Sequence, residues 1–187
     1  KVLVTGFDRE NLFFEVRTGK NKDDQLLHYL QNHPEESGII YCATRKNVEK
    51  VCEYLEYRGL PVTRYHAGLS PQERKANQED FIYDRKPIVV ATNAFGMGID
   101  KSNVRYVVHY NMPQSLENYY QEAGRAGRDP KTAAKCYVLY SDHDLDKHFI
   151  LLNQTKISIS EIQQVWSAIK TFTKIRKQIS CSALEIA

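Results

Sequence analysis

The sequence predicts an α/β protein whose core is a doubly wound, mostly parallel sheet of about six strands flanked by helices. Short apolar runs typical of buried strands alternate with segments whose apolar residues recur at helical spacing. Capping residues and glycines mark the expected helix ends. The alternation stops near residue 141, and only helical signals follow. Strands that alternate with helices imply right-handed βαβ crossovers, which place the strands parallel to one another.

The first half of the chain contains predicted strands at residues 13–16, 39–42 and 62–65. A helix is predicted over residues 23–30, where Leu26, Leu27 and Leu30 share helical spacing. Thr44 suits the N-cap of the next helix. The apolar face of that helix consists of Val48, Val51, Cys52 and Leu55. Gly59 stands where this helix should end.

The second half contains predicted strands at residues 88–91, 104–109 and 135–140. Ser70-Pro-Gln-Glu73 combines a capping box with proline at the first helical position, which is a strong helix start. Ser115 can cap the helix that bears Gln121. Together these elements form a sheet domain that we place at residues 1–141.

Residues 142–187 are predicted to form a short all-helical extension. Ser158-Ile-Ser-Glu161 is a capping box. The apolar stripe after it consists of Ile162, Val165, Trp166, Ile169 and Phe172. A further capping box at residues 182–185 opens a helix close to the last residue. Since the sequence also begins without Met, we expect the chain to be a fragment of a larger protein.

The composition is that of an ordinary globular protein. Lys and Arg number 26 against 23 Asp and Glu, and a net charge of +3 is too mild to identify a nucleic-acid-binding protein. No apolar run approaches the roughly 20 residues that span a bilayer, so no membrane partner is expected. The four cysteines form no C-x-x-C pair, and zinc is unsupported. Without a secretory signal, we expect reduced, buried thiols and a cytoplasmic protein.

Two weaker clusters have ordinary interpretations. Asp144 and His148 lie one turn apart and could share a metal ion, but the sequence offers no two further ligands at good spacing, and no metal ligand is assigned. Lys174, Arg176 and Lys177 form a basic cluster that either contacts DNA or is a solvated helix face.

The run Gln121-Glu-Ala-Gly-Arg-Ala-Gly-Arg128 is the most informative part of the sequence. Offsets of four and seven place Gln121, Arg125 and Arg128 on one helical stripe. Two guanidinium groups on one face can grip phosphate oxygens. The alternative is a solvated helix end, with arginines near the C-terminal dipole. Gly124 and Gly127 argue against it, because each costs a helix about 1 kcal/mol relative to Ala and therefore needs a reason.

A second glycine-spaced run, Ala91 to Asp100, follows a predicted strand. Thr92 and Asn93 offer short polar groups to a backbone phosphate. Asp100 can accept hydrogen bonds from ribose hydroxyls at a strand end. The alternative is that Gly96 and Gly98 form only a turn.

Two further segments leave predicted strands. Thr44 and Arg45, together with the free N–H groups of a helix start, suit a phosphate, although a plain strand-to-helix turn explains them as well. His66-Ala-Gly68 contains small residues that permit close approach. A lone His in that position is more often structural than catalytic.

The order of these motifs resembles the second motor lobe of superfamily-two helicases. Tyr65-His-Ala-Gly-Leu-Ser70, Ala91 to Asp100 and Tyr119-Tyr-Gln-Glu-Ala-Gly-Arg-Ala-Gly-Arg-Asp129 are similar to motifs of the RecQ family of DNA helicases. The resemblance covers about residues 6–142. Gly6-Phe-Asp-Arg-Glu-Asn-Leu12 also resembles the start of that family's second lobe, although Glu10 stands where Pro is usual.

The resemblance implies a RecA-like fold and ATP-driven unwinding of DNA in the 3′-to-5′ direction, in DNA repair and recombination. Arg125 and Arg128 match the family's paired arginines, with Arg128 the expected arginine finger on the γ-phosphate, and Gln121 matches a glutamine at the nucleotide cleft. Gly98 and Asp100 match positions that meet the nucleotide sugar and couple the cleft to DNA. The expected DNA-binding residues are Thr44, Arg45, His66, Ala67, Gly68, Thr92 and Asn93.

The chain departs from the family by containing no G-x-x-x-x-G-K-[ST] motif, no Asp-Glu-x-His motif and no aromatic-rich coupling loop. These belong to the family's first lobe, so ATP and Mg²⁺ would be bound mainly by that missing lobe, and the chain alone should not hydrolyse ATP. The family's cysteine-rich zinc module is not visible either, and Cys181 alone cannot supply it. The helices after residue 142 could instead lead directly into a winged-helix module near Ser182.

The expected partners are single-stranded and duplex DNA and the first lobe of the same protein, with a location in the nucleoid or the nucleus. Two alternatives remain from other classes. One is a non-catalytic nucleic-acid-binding module that uses the same loops without ATP. The other is a small-molecule enzyme of the doubly wound class, which would need a catalytic carboxylate or base pair at the strand ends; no convincing pair is found.

Overall fold

The computed structural model describes residues 9–19, 21–96, 99, 101–141 and 144. Over these residues the chain forms six strands and four helices. The strands are β1 (Leu12–Thr18), β2 (Ser37–Tyr41), β3 (Val62–Tyr65), β4 (Ile88–Ala91), β5 (Val104–His109) and β6 (Ala134–Tyr140). The helices are α1 (Lys22–Gln31), α2 (Arg45–Tyr57), α3 (Pro71–Ile82) and α4 (Leu116–Ala123). Every strand and helix predicted for the sheet domain is present, with small shifts at the ends.

All six strands form one parallel sheet in the order β1-β6-β5-β2-β4-β3. The predicted α/β class is therefore confirmed. The chain passes from β2 outward to β3, returns through β4 and continues to β5 on the other side of β2. In parallel sheets such a reversal beside one strand opens a crevice at the carboxyl ends of the strands, where ligands bind.

Two hydrophobic cores cover the two faces of the sheet. α1 and α2 pack one face, with Leu26, Leu30, Val51 and Leu55 in a core with Ile40, Val90 and Val108. α3 and α4 contribute Phe81 and Ala123 to the other core, which contains Ile39, Val89 and Val107. Neighbouring residues such as Ile39 and Ile40 belong to different cores because side chains alternate across a strand. Helices on both faces leave the strand ends as the accessible edges.

Each helix begins at a capping residue. The side chains of Thr44, Ser70 and Ser115 accept hydrogen bonds from backbone N–H groups of the following turn, as predicted, and α3 has the complete capping box with Glu73. Asn21 caps α1 in the same way. Gly59 has a φ of 77° directly after α2, which explains the glycine at that helix end.

The predicted state of the cysteines agrees with the structure where it is described. Cys42, Cys52 and Cys136 are free and buried. Burial raises the pKa of Cys52 and of Cys136 to about 12. None of the helices in the described ranges is long and apolar enough to cross a bilayer.

The chain divides into two compact units, Lys1–Leu145 and Asp146–Ala187. The second unit lies outside the described residues. So do the predicted helical extension apart from Asp144, the basic cluster at 174–177, Cys181 and the winged-helix start near Ser182. The boundary placed at residue 141 stays a prediction.

Asp144 is buried in the first unit, where Lys22 forms an ion pair with its carboxylate and the Ser141 N–H donates to Oδ2 at 2.8 Å. Burial opposes ionisation, but the hydrogen bonds from Lys22 and Ser141 outweigh it and lower the pKa of Asp144. This carboxylate is therefore satisfied by protein groups. Its suggested metal partner, His148, lies outside the described residues.

An ion pair between buried Lys101 and exposed Asp84 joins the turn after α3 to the segment that leads into β5. Lys101 is 5% exposed, and its ammonium donates to Asp84 Oδ1 at 2.7 Å and to the Ile82 carbonyl at 3.3 Å. Asp84 has a φ of 56°, in the left-handed region that Asp and Asn tolerate better than other side chains. The pair thus fixes the far end of the loop that follows β4.

We expect Asp84→Asn to lower the free energy of unfolding by about 1–3 kcal/mol, because the Lys101 ammonium stays buried without a counter-charge. Asn tolerates the turn conformation, so the variant isolates the charge. Urea unfolding followed by circular dichroism measures the change. Asp80→Asn is the matched control, since Asp80 pairs at 2.7 Å with Arg85, whose side chain is 54% exposed, and such surface pairs contribute only about 0–1 kcal/mol. Equal losses of unfolding free energy in the two variants would contradict a special role for the ion pair of buried Lys101 with Asp84.

Candidate functional site

Three of the predicted segments meet at the carboxyl edge of the sheet. The last residues of β2, β3 and β4 lie side by side, because Ala91 is in register with both Tyr41 and Tyr65. The chain continues from these residues into the turns at 42–45, 66–70 and 92–96. The Thr92 N–H donates to the Tyr65 carbonyl at 3.1 Å, and the Cys42 N–H donates to the Ala91 carbonyl at 2.8 Å. The three turns therefore form one continuous surface, which we call the strand-end surface.

Thr44 and Arg45 are exposed on this surface. Thr44 caps α2, and its hydroxyl accepts a hydrogen bond from the Asn47 N–H at 3.1 Å. The remaining N–H groups of the first turn and the positive end of the helix dipole make a site that favours anions. The Arg45 side chain runs beside Gly68, where an added Cβ would lie 3.2 Å from Arg45 Cδ. The two turns thus present one basic group together with free backbone donors.

His66 is 5% exposed and serves the turn rather than the surface. Its Nδ1 accepts a hydrogen bond from the Gly68 N–H at 3.1 Å, so Nε2 carries a proton and donates to Glu49 Oε1 at 2.6 Å. Ala67 and Gly68, by contrast, are exposed. A DNA contact through the His66 side chain does not fit this arrangement, and the structural alternative for this residue is the better one. The small residues after it are free to approach a ligand.

Thr92 is half-buried and Asn93 is exposed at the end of β4. Asn93 lines a small cleft of about 40 Å³ together with Ala43, Asn111 and Asn118. Asn111 accepts hydrogen bonds from the Ala43 N–H at 3.1 Å and from the Asn47 side chain at 3.0 Å. The amide of Asn111 therefore holds the turn that carries Thr44 and Arg45, a role with no signal in the sequence.

A buried pair beneath this cleft was also missed from the sequence. His109 ends β5, is 1% exposed and lies 2.7 Å from Glu122 Oε2 through Nε2. Its ring stacks on Tyr41 with centroids 5.4 Å apart. The pair fastens α4 to the carboxyl ends of β2 and β5. The one available signal was a histidine at the end of an otherwise apolar strand.

The predicted helical stripe of Gln121, Arg125 and Arg128 is wrong. α4 ends at Ala123, Gly124 is its C-cap, and Gly127 has a φ of 57°. The Gly127 N–H donates to the carbonyl of Val104 at 2.9 Å instead of continuing the helix. Gly127 lies beyond the end of the helix, and its left-handed conformation lets the chain turn away at that point. We call residues 124–132 the arginine segment; it is an anchored loop, and its glycines serve the turn.

The two arginines of this segment have different environments. Arg125 donates to the carbonyl of Gly96 and forms a hydrogen bond with the Tyr41 hydroxyl. Burial raises the pKa of Tyr41, and the positive charge of Arg125 opposes that rise. Arg128 and Gln121 are exposed. The structure therefore brings Arg125 together with the loop after β4 and leaves Arg128 on an accessible surface.

The backbone of the arginine segment lies away from the strand-end surface, and the Arg125 side chain connects the two at the Gly96 carbonyl. Gly127 is anchored at Val104, the first residue of β5, and Ala134 at the start of β6 bonds to the Asn11 carbonyl. These residues lie at the amino edge of the sheet, opposite the edge that carries Thr44 and Arg45. Gly98 and Asp100, predicted to face the nucleotide sugar, lie outside the described residues. Among the residues that are described, no three His, Cys, Asp or Glu side chains form a group that could hold a metal ion.

The sequence matches the family described as helicase conserved C-terminal domain over residues 21–130, which is more than half of the chain. It is also 48% identical over 154 residues to the ATP-dependent DNA helicase RecQ of Bacillus subtilis (strain 168), across 82% of this chain and 26% of that protein. The chain belongs to the RecQ family. The resemblance drawn from the motifs is thereby confirmed, and the fold is that of a helicase motor lobe.

Two further relatives have names that describe ATP-dependent helicases. ATP-dependent DNA helicase hus2/rqh1 of Schizosaccharomyces pombe (strain 972 / ATCC 24843) is 47% identical over 145 residues, 76% of this chain and 11% of that protein. Putative ATP-dependent RNA helicase R290 of Acanthamoeba polyphaga mimivirus is 39% identical over 178 residues, 90% of this chain and 32% of that protein. This RecQ-family lobe thus spans a third or less of the length of each of these relatives.

Proposed function

We propose that this chain is the second motor lobe of an ATP-dependent DNA helicase that moves in the 3′-to-5′ direction. In this proposal the strand-end surface binds one DNA strand, and the arginine segment faces a nucleotide seated on a first lobe. The observation that carries the proposal is the contrast between the two arginines. Arg125 is fixed inside the lobe, whereas Arg128 is exposed on the same anchored loop.

The residues present fit one part of a nucleotide site. Phosphoryl transfer needs a phosphate cradle, a metal ion, an oriented water and positive charge at the γ-phosphate. An exposed guanidinium on a rigid loop supplies the last of these, and Gln121 lies exposed at the end of the preceding helix. We assign Arg128 as the arginine finger, with Gln121, Gly98 and Asp100 at the nucleotide cleft. Mg²⁺ and the phosphate cradle belong to the first lobe in this scheme.

Arg125 takes a supporting part in the proposed site. Its bonds to Gly96 and Tyr41 connect the arginine segment to the loop after β4, which leads from the strand-end surface to Asp100. A change at the nucleotide is thereby felt at Thr92 and Asn93. Arg125 is thus proposed as a coupling residue rather than a direct phosphate ligand.

The strand-end surface suits a sugar–phosphate backbone. This surface offers hydrogen bonds and one positive charge from Thr44, the free N–H groups of α2, Arg45 and Asn93. Groups of these types contact phosphates and sugars rather than base edges. Ala67 and Gly68 permit close approach, while His66 holds their turn. Contacts of this type grip DNA without sequence preference, as a translocating motor requires. With DNA as the proposed substrate, we place the protein's role in DNA repair and recombination, within the nucleoid or the nucleus.

The proposal is tested by comparing the chain alone with the protein that includes a first lobe. The purified chain should show no ATP hydrolysis above background, with or without single-stranded DNA. The two-lobed protein should hydrolyse ATP when DNA is added and should unwind duplexes that carry a 3′ single-stranded tail. A duplex with a 5′ tail of the same sequence is the matched control for direction.

Robust ATP turnover by the chain alone would refute the split site. If the two-lobed protein binds single-stranded DNA in a salt-dependent manner that ATP never alters, the chain is a non-catalytic nucleic-acid-binding module. Unwinding from the 5′ tail only would contradict the proposed direction while leaving the motor assignment intact.

A further inference from the structure

Two side chains from the start of the described chain reach the arginine segment across more than a hundred residues of sequence. Arg9 donates to the carbonyl of Gly124 at 2.9 Å, to that of Ala126 at 3.2 Å and also to that of Gly127. The Asn11 side-chain amide donates to the carbonyl of Gly127 at 2.7 Å. It also lies 3.2 Å from the carbonyl oxygen of Asp129 and 3.0 Å from that of Thr132. Five carbonyl groups on both sides of Arg128 are thus held by two residues.

These carbonyl groups need partners because α4 stops at Ala123. The last carbonyl groups of a helix, and those of the turn beyond it, accept no hydrogen bond from an N–H group within the helix. An arginine fork offers five N–H donors in a fixed plane, so one side chain can serve several carbonyls at once. Asn11 adds an amide that donates without carrying charge. The bonds therefore fix the backbone of the segment rather than a single side chain.

The shape of Gly127 supports the same conclusion. A Cβ at this position would lie 2.7 Å from the Asn11 amide nitrogen and 3.0 Å from the Ala134 Cβ. Its φ of 57° lies in the left-handed region, which glycine adopts more readily than residues with a side chain. Asn11 thus packs directly on the bare Cα of Gly127, next to Arg128. The backbone of Asn11 is fixed in turn, since its carbonyl accepts from the Ala134 N–H at 2.9 Å.

We propose that Arg9 and Asn11 are positioning residues for ATP hydrolysis, which hold the arginine segment in the conformation that presents Arg128 to the γ-phosphate. This inference rests on the proposed function of Arg128. Neither residue contacts the nucleotide; both act through the backbone on either side of the arginine. A displacement of about 1 Å at a catalytic group can lower a rate by about 10²-fold, so the loss of hydrogen bonds to these five carbonyl groups should have a large effect on turnover.

The test uses Asn11→Asp and Arg9→Lys in the two-lobed protein. Asp has nearly the shape of Asn but cannot donate and places negative charge among carbonyl oxygens. Lys keeps the charge of Arg9 but loses the planar fork. Asn32→Asp and Arg58→Lys are matched controls, because Asn32 and Arg58 are exposed residues that directly follow α1 and α2, and their contacts with His28 and Tyr54 are local.

We expect Asn11→Asp to lower kcat by about 10²-fold and Arg9→Lys to lower it by about tenfold, while the Kd for ATP and the Kd for single-stranded DNA change less than about threefold. Hydrogen–deuterium exchange of residues 124–132 should accelerate in both variants, with the core strands unchanged. A purely structural role would instead raise exchange throughout the sheet and lower kcat only in proportion to the folded fraction. That result would overturn the proposal.

Arg128→Ala is measured beside these variants to separate the two claims. If Arg128→Ala collapses kcat and Asn11→Asp leaves it unchanged, the positioning role is wrong and the arginine finger stands. If Arg128→Ala itself leaves kcat unchanged, the proposed function of Arg128 fails and the positioning role fails with it.

Discussion

Replacement of Arg128 by alanine should lower the kcat of ATP hydrolysis in the two-lobed protein by about 10³-fold or more, with the Kd for ATP nearly unchanged. In the proposed function, the exposed guanidinium stabilises the charge that develops at the γ-phosphate during transfer and contributes little to the binding of the nucleotide. Arg128 is exposed, so its truncation leaves no buried cavity. The folded state should therefore retain its unfolding midpoint.

DNA-stimulated ATPase assays and equilibrium binding of a fluorescent ATP analogue measure the two quantities. Arg58→Ala is the matched control, since Arg58 is also an exposed arginine that follows a helix, but its guanidinium lies over the Tyr54 ring on the α1 and α2 face. It should leave both quantities unchanged. A variant with normal kcat at position 128 would remove this residue from the reaction.

The second large effect is expected at Gly96. Gly96→Ala should lower the free energy of unfolding by about 2–4 kcal/mol and reduce ATP turnover by more than tenfold. The φ of Gly96 is 128°, which side chains rarely adopt, and an added Cβ would overlap the guanidinium of Arg125. Arg125 must then leave the Gly96 carbonyl. The connection between the arginine segment and the loop after β4 would be broken.

Gly59→Ala separates the effect of backbone strain from the effect of steric overlap with Arg125. Gly59 also has a positive φ, of 77°, but no atom lies within 4 Å of an added Cβ. Its replacement should cost about 1–2 kcal/mol of stability through the backbone alone and leave ATP turnover unchanged. Chemical denaturation and ATPase assays on both variants give the comparison. Equal effects of the two substitutions on turnover would show that the Arg125 contact has no functional weight.

Much of the architecture was predictable because its signals are local. The six strands are short apolar runs, and the capping residues Thr44, Ser70 and Ser115 interact with groups three residues away. Such signals depend only on residues that are close together in the sequence. The parallel sheet then followed from alternation. The order of strands did not, because the placement of β1 beside β6 depends on packing between distant parts of the chain.

The site was predictable in its residue types but not in its geometry. Periodicity placed Arg125 and Arg128 on a helix, whereas the left-handed Gly127 and its bond to Val104 turn the chain into a loop. His66 was assigned to DNA from its motif, although Glu49 and the Gly68 N–H engage both of its ring nitrogens. These outcomes depend on partners that are remote in sequence or on a φ value. Residue spacing contains neither kind of information.

Tyr41 has a consequence for how such a motor would transmit force. Its hydroxyl donates to the carbonyl of Phe95 at 3.1 Å and meets Arg125, while its own strand runs directly into Thr44. The buried Tyr41 ring thus connects the arginine segment to the turn that, in the proposed function, faces the nucleic-acid strand. In the proposed motor, movement of the arginine segment would transmit force to β2 through Tyr41, without a change in side-chain packing on either face of the sheet. The lobe would then rotate as a rigid body. The distance that it moves relative to the DNA would depend on the geometry of that rotation and not on deformation of the lobe.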